Sequence, residues 1–403
     1  MRRRWLVAGG AVALLVTVFA AGRVFAPKDT LDRSHEPHPA PAAAYGRVYG
    51  ELMHSPLFVG DRLRVYAADN RVWADGPVDA HYPTSALWAY RRWPAQLTGV
   101  VAAEHAVVTR WSDGQLVGID PDQGRVRWRA DGPAGGSYEG RRTGAQTLYD
   151  PPGLYIGTAV DGTPVVLTVD GDSVTAYDAD NGTRLWHRTV GGPPSCRVEF
   201  TAPGVFVVRN RCASTVDAYS ALTGRPRGWP ADPTLRPVGC AVGDRTACTG
   251  LAGATGGWLI DPGGGPTPAP ALSGTDTWLA GRIVVHPAPD GHIEAHDPVT
   301  GKGLWSWPDG GDGFGSRILA VEPGVVHLVT PDREIVNLDA NSGVVLSRFP
   351  GQVLTEKTQP WVPGYVYASH GYLAIERLLP GGRPDGSDGE YYYPFPTVLF
   401  TGS

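Results

Sequence analysis

An all-β fold, a β-propeller of four-stranded blades with eight blades favoured over seven, is what this sequence predicts, and three observations carry the prediction. The segment Val174 to Trp186, V-T-A-Y-D-A-D-N-G-T-R-L-W, reads as a strand, a tight turn and a returning strand. Variants in the same register span Leu116 to Trp128, Val216 to Trp229, Ile293 to Trp305 and Ile335 to Ser347. The turn markers Asp120, Asp178, Ser220, Asp261, Asp297, Asp339 and Glu376 are separated by 58, 42, 41, 36, 42 and 37 residues, a period near 40 that suits four short strands per unit. Gly 54 and Pro 37 make about 23% of the 403 residues while apolar residues stay at 42%, against about 12% Gly plus Pro in an average chain. Many tight turns and enough apolar side chains for a core follow.

Taken in order, the chain opens with Arg2-Arg3-Arg4 and an apolar run from Trp5 to Gly22. As a helix these 18 residues reach about 27 Å, close to the hydrocarbon thickness of a bilayer. Residues 5–26 are therefore expected to be a single transmembrane signal-anchor behind a cytoplasmic stub, residues 1–4. A cleavable signal peptide is the competing reading, with small residues at Ala20 and Ala26. Residues 27–45, P-K-D-T-L-D-R-S-H-E-P-H-P-A-P-A-A-A-Y, offer almost nothing to bury and read as a Pro/Ala-rich tether in which His35 and His38 are solvated. Residues 46–403 form the propeller, with 46–85 and 386–403 expected to meet and close the ring.

Within the propeller, Ser85 to Trp88 keeps only the outer strand of a copy, and Trp258 to Gly265 and Leu373 to Pro380 are degenerate copies. The long interval is assigned to an insertion, Gly135 to Pro152, expected by its polarity to be an exposed loop. Cys196 and Cys212 flank two alternating strands, and Cys240 and Cys248 flank a shorter hairpin around Gly243-Asp244. Of three pairings the local one fits both hairpins, with free buried thiols as the alternative. Paired cysteines behind an apolar segment place the propeller outside the cytoplasmic membrane.

The motif of apolar-x-Ala-x-Asp, a Gly four residues after the acid and a Trp four later resembles the PQQ-like repeat of the quinoprotein-like β-propellers, over roughly residues 86 to 380. Asp120, Gly124 and Trp128, then Asp178, Gly182 and Trp186, then Asp297, Gly301 and Trp305 stand in full register; Gly224, Asp261, Asp339 and Gly343 keep part of it. The resemblance implies structural roles, with Gly in the turn and Trp between blades. One branch of that family holds pyrroloquinoline quinone and calcium in the central channel under an adjacent-cysteine disulfide, with carboxylate and amide calcium ligands. No two cysteines are adjacent here. The noncatalytic, membrane-tethered envelope branch is the better likeness, having anchor, tether and propeller.

Residues that could carry chemistry are few. His286, His292, Glu294 and His296 are the best metal candidate, because positions 292, 294 and 296 of one strand share a face. His296, however, fills the slot of Ile119, Tyr177, Tyr219 and Leu338, which makes it a packing residue, and no metal is expected. The Asp-x-Asp-x-Gly runs at Asp120 and Asp178 mimic a calcium loop, yet the glycine is fifth rather than sixth, and Asx-turns are the better reading. No catalytic or cofactor-binding residue is assigned. The aromatic tail Gly386 to Pro396 reads as a contact surface or, more simply, as closing structure with core tyrosines. A net charge of -5 without a basic stripe excludes nucleic acid as partner. The functional expectation is a noncatalytic binding or scaffold module for a protein or glycan in the envelope, against the alternative of a quinone-dependent or other channel-sited enzyme.

Overall fold

The computed structural model describes residues 28–34, 46–60, 62–76, 86–263, 265–307, 315–353, 359–384, 388–392 and 396–403. Eight antiparallel sheets follow one another around a ring. Blades 2 to 7 are built in chain order from residues 97–131, 154–189, 197–227, 236–269, 278–307 and 317–350. Blade 1 uses residues 57–93. Blade 8 takes Val362–Ser369, Tyr372–Leu378 and Val398–Gly402 from the end of the chain and Val48–Leu52 from its beginning. Pairing the two ends in one sheet closes the ring and leaves no blade unmatched.

The first strand of each blade lines the centre: Leu97–Ala103 packs on Leu154–Thr158, and Arg317–Glu322 on Val362–Ser369. Middle strands are covered on both faces by neighbouring blades, so they read as unbroken apolar runs. Val165, Val166 and Leu167 are all fully buried. Outer strands have water on one side and alternate, as in Arg184–Thr189, where only Trp186 is buried.

The repeat turns at Asp120, Asp178, Asp297 and Asp339 are Asx-turns. Asp178 Oδ1 accepts the backbone N–H of Asp180 at 2.8 Å and of Asn181 at 3.2 Å, and Asp297 and Asp339 do the same for their own turns. Gly182 then takes φ 74° and returns the chain. The returning tryptophan crosses to the next blade: the indole N–H of Trp88, Trp128, Trp186 and Trp305 donates to Pro121, Ala179, Ala221 and Ala340, at 2.7, 2.8, 2.7 and 2.8 Å. Its ring lies on that blade's turn glycine. A Cβ on Gly124, Gly182, Gly224 or Gly343 would come within 2.7 Å of the indole.

Three expectations need correction. The insertion is not an exposed loop: Ala145–Tyr149 forms a short helix, α1, with Thr143, Ala145, Thr147, Leu148 and Tyr149 buried. Glu376 is not a turn acid but a buried residue within Tyr372–Leu378, because blade 8 has its third strand at Val398–Gly402. Part of the expected tether, Lys28–Arg33, pairs with Trp88–Trp93 as a fifth strand on blade 1, where Asp29 meets Arg92 at 3.0 Å and Arg129 at 3.2 Å. In the tail, Tyr391 and Tyr392 are buried, in keeping with the simpler reading of closing structure with core tyrosines. Among the described residues no helix is long and apolar enough to cross a membrane. The expected anchor at 5–26, with His35 and His38, lies outside the described residues.

Candidate functional site

Two elements enter the centre of the ring. Helix α1 packs against the inner strands of blades 2 and 8, and Tyr149 sets its ring 5.0 Å from that of Tyr367 and donates its hydroxyl to Pro56 O at 2.8 Å. Thr143 just before it donates to Glu376 Oε1 at 2.7 Å. That carboxyl is pushed up by burial, which Thr143 and the Tyr365 N–H partly offset. The second element is the hairpin of the Cys240–Cys248 disulfide. Thr201 of blade 4 exchanges backbone bonds with it, receiving Cys248 N–H at 2.9 Å and donating to Arg245 O at 2.8 Å. Gly243 at its tip lies so close to Tyr149 O that a Cβ would sit 2.2 Å away. The second disulfide joins Cys196 to Cys212 across the first hairpin of blade 4.

Together α1 and the hairpin fill the side of the channel beneath blades 1 to 4. What remains is a cavity of about 370 Å³ against the inner strands of blades 5 to 8. Trp278, Tyr365 and Tyr367 give it aromatic walls; Arg236, Asp244, Asp276 and Asp150 supply charge. Burial pushes the Asp150 carboxyl up to about 6, with Arg245 opposing and Asp244 adding to the shift. Arg245 Nε stands 3.8 Å from Asp150 Oδ1. Burial also lowers the Arg236 guanidinium, whose Nη2 donates to Thr277 O at 2.7 Å. None of these polar residues carries a sequence signal, since they come from different blades.

The cavity does not fit a quinone with calcium. No Asn or Gln lines it, and its disulfide joins residues eight apart and closes a hairpin that itself occupies the channel. Among the described residues its carboxylates, Asp150, Asp244 and Asp276, do not come together as a set of ligands.

The other sequence candidates lie elsewhere. The carboxylates of Asp120 and Asp178 are engaged by their own turns. His286, Glu294 and His296 come together on blade 6, their ligand atoms within 4.8 Å of one another. His292 is not in that group; its Nδ1 lies 2.8 Å from Asp290 Oδ2.

A family model described as "Outer membrane protein assembly factor BamB" matches residues 45–147. The chain folds as an eight-bladed β-propeller, and the model match is a likeness of its first two blades to that family. The match covers blades 1 and 2 and includes one full motif, Asp120, Gly124 and Trp128; the other two full motifs stand in blades beyond it. Among solved structures, this propeller is similar to BamB from Moraxella catarrhalis, at 16% identity and TM-score 0.45 over 93% of this chain and 100% of that one. The computationally designed Ika8 protein gives 15% and 0.43 over 90% and 98%. Quinohemoprotein alcohol dehydrogenase from Comamonas testosteroni gives 14% and 0.40 over 89% and 76%. No curated protein sequence matches it.

Proposed function

We propose that this PQQ-like propeller is a noncatalytic binding module of the cell envelope, anchored by residues 5–26 on the outer side of the cytoplasmic membrane, and that its channel cavity receives a protein or glycan partner. The observation that carries the reading is the half-filled channel. A short helix and a disulfide-closed hairpin leave a recess that mixes aromatic rings, Tyr149, Trp278, Tyr365 and Tyr367, with both signs of charge, a lining suited to polypeptide or sugar. The family description of an assembly factor supports a protein partner, and both disulfides support an oxidising compartment. The strand Lys28–Arg33 begins two residues after the proposed anchor and is paired along blade 1. It would hold that blade's rim at the membrane.

In-cell photo-crosslinking from position 276 at the cavity wall tests the reading. One envelope component should be captured, and Ala320→Trp, which fills the recess, should abolish its capture while leaving the circular dichroism spectrum unchanged. Recovery of the chain alone, under conditions that capture other envelope complexes, overturns it.

A further inference from the structure

The seam between blades 5 and 6 lacks the interlock of indole and glycine that holds four others. The outer strand of blade 5, Gly265–Ala269, reads G-P-T-P-A and brings no indole across. A Cβ on Gly301 would accordingly meet nothing within 4 Å, whereas its counterpart on Gly182 would strike the Trp128 ring at 2.5 Å. In blades 3 and 7 the residue just before the turn acid shares a buried cluster with that indole, Tyr177 with Trp128 and Leu338 with Trp305. In blade 6 that residue is His296, and without an indole its side chain is left 24% exposed.

His296 does not stand alone there. Ile293–His296 runs antiparallel to Ile283–Pro287 with His286 opposite Glu294 and Val284 opposite His296, so His286, Glu294 and His296 project from one face. The two imidazoles lie nearly parallel, 4.9 Å between centroids at 10°. Glu294 Oε2 is 3.3 Å from His296 Nε2. Each ring turns Nδ1 toward a main-chain carbonyl, His286 to Pro287 O at 3.4 Å and His296 to Gly301 O at 3.3 Å. An N–H committed to a carbonyl at Nδ1 leaves Nε2 with its lone pair, the tautomer a metal needs, and such an outer contact regularly accompanies a ligating histidine.

We propose that His286, Glu294 and His296 bind one zinc ion, through Nε2 of each imidazole and one carboxylate oxygen, with a water in the fourth position. Donors now within 4.8 Å need to draw in to about 3.3 Å, the edge of a tetrahedron with ligand bonds near 2.0 Å, a movement that side-chain rotation supplies. Two imidazoles and a carboxylate suit zinc and disfavour the hard cations calcium and magnesium.

The test is calorimetric titration of the chelator-stripped full chain with zinc chloride, with cobalt(II) absorption as a second readout. One ion per chain and the visible bands of four-coordinate cobalt are expected. His296→Tyr installs the residue that blades 3 and 4 carry at this slot, Tyr177 and Tyr219, so the blade keeps its packing while losing a ligand. Affinity should fall at least about tenfold, as it should for Glu294→Gln and His286→Ala, and His292→Ala should leave it unchanged. Absence of binding overturns the proposal. So does zinc binding that survives His296→Tyr in a folded chain, or that is removed instead by substituting His35 and His38.

Discussion

Replacing Gly182 by alanine separates the two jobs of the repeat glycine. Gly182 and Gly301 occupy the same turn with nearly the same backbone, φ 74° and 69°, so an added methyl strains both alike, by roughly 1–2 kcal/mol. They differ only in what the methyl meets. At Gly301 nothing lies within 4 Å, and at Gly182 three atoms of the Trp128 ring lie within 3.0 Å. The indole is buried and fastened to Ala179 O, so it cannot retreat freely, and overpacking adds about 1–3 kcal/mol. Gly301→Ala should therefore cost roughly 1–2 kcal/mol and Gly182→Ala roughly 2–5. Urea unfolding followed by tryptophan fluorescence and circular dichroism measures both, compared by midpoint at unchanged slope. In a Trp128→Ala background, itself lower by about 3–5 kcal/mol, the extra cost of Gly182→Ala should vanish, giving a coupling of opposite sign to that penalty. Equal losses for the two glycine variants, or an excess that survives removal of the indole, would refute the interlock.

Two further outcomes follow from the channel. Asp150 is held at about 6 in the folded chain against ~3.9 unfolded, so ionising it opposes folding at neutral pH; Asp150→Asn should stabilise by up to roughly 2 kcal/mol at pH 7.5, the gain shrinking as pH falls through 6 and absent below about 4, and thermal unfolding across that range would contradict the reasoning by showing a pH-independent difference. Replacing Cys240 and Cys248 together by serine should lower stability by about 2–3 kcal/mol and raise hydrogen exchange at Thr201 and Cys248, whose backbone bonds the hairpin makes; exchange unchanged at both would mean that the hairpin is held without its disulfide.

What could be read in the sequence was whatever is decided locally. The Asp, Gly and Trp of each repeat act within a dozen residues, or on the next blade at a fixed offset, so their spacing exposes both turn and interlock. Blade 8 hides from the spacing because Val398–Gly402 needs no turn after it: its outer strand, Val48–Leu52, arrives from the far end of the chain, and the period of the repeat points one strand early, to Glu376. The insertion misled because polarity is a poor guide where hydrogen bonds exist inside; Thr143 is buried because Glu376 awaits it. Lys28–Arg33 has Leu31 as its one large apolar residue, but a strand docked by backbone pairing and by Asp29 on Arg92 leaves no trace in hydropathy.

The seams of the ring show where the repeat has been replaced, and by what. Four use the indole and glycine. Between blades 8 and 1 the ring closes on aromatic stacking, with Phe58 5.3 Å from Tyr367 and 5.9 Å from Tyr372. Between blades 7 and 8 Ser347 stands where the tryptophan would be, and the fully buried Asn337 reaches from it, at 2.8 Å, to Gly402 O of blade 8 at 3.4 Å. His327 supports Asn337 from behind at 2.7 Å and Glu322 at 3.2 Å, and Glu322 accepts Gly371 N–H of blade 8 at 3.0 Å. Both of these seams flank blade 8, the sheet built from the two ends of the chain, and both have substitutes built in. The seam between blades 5 and 6 joins consecutive segments of one chain, and its inner packing of Leu259, Leu272, Leu279 and Val284 is complete. It can give up its outer lock at little cost to the ring, and the surface uncovered there carries His286, Glu294 and His296.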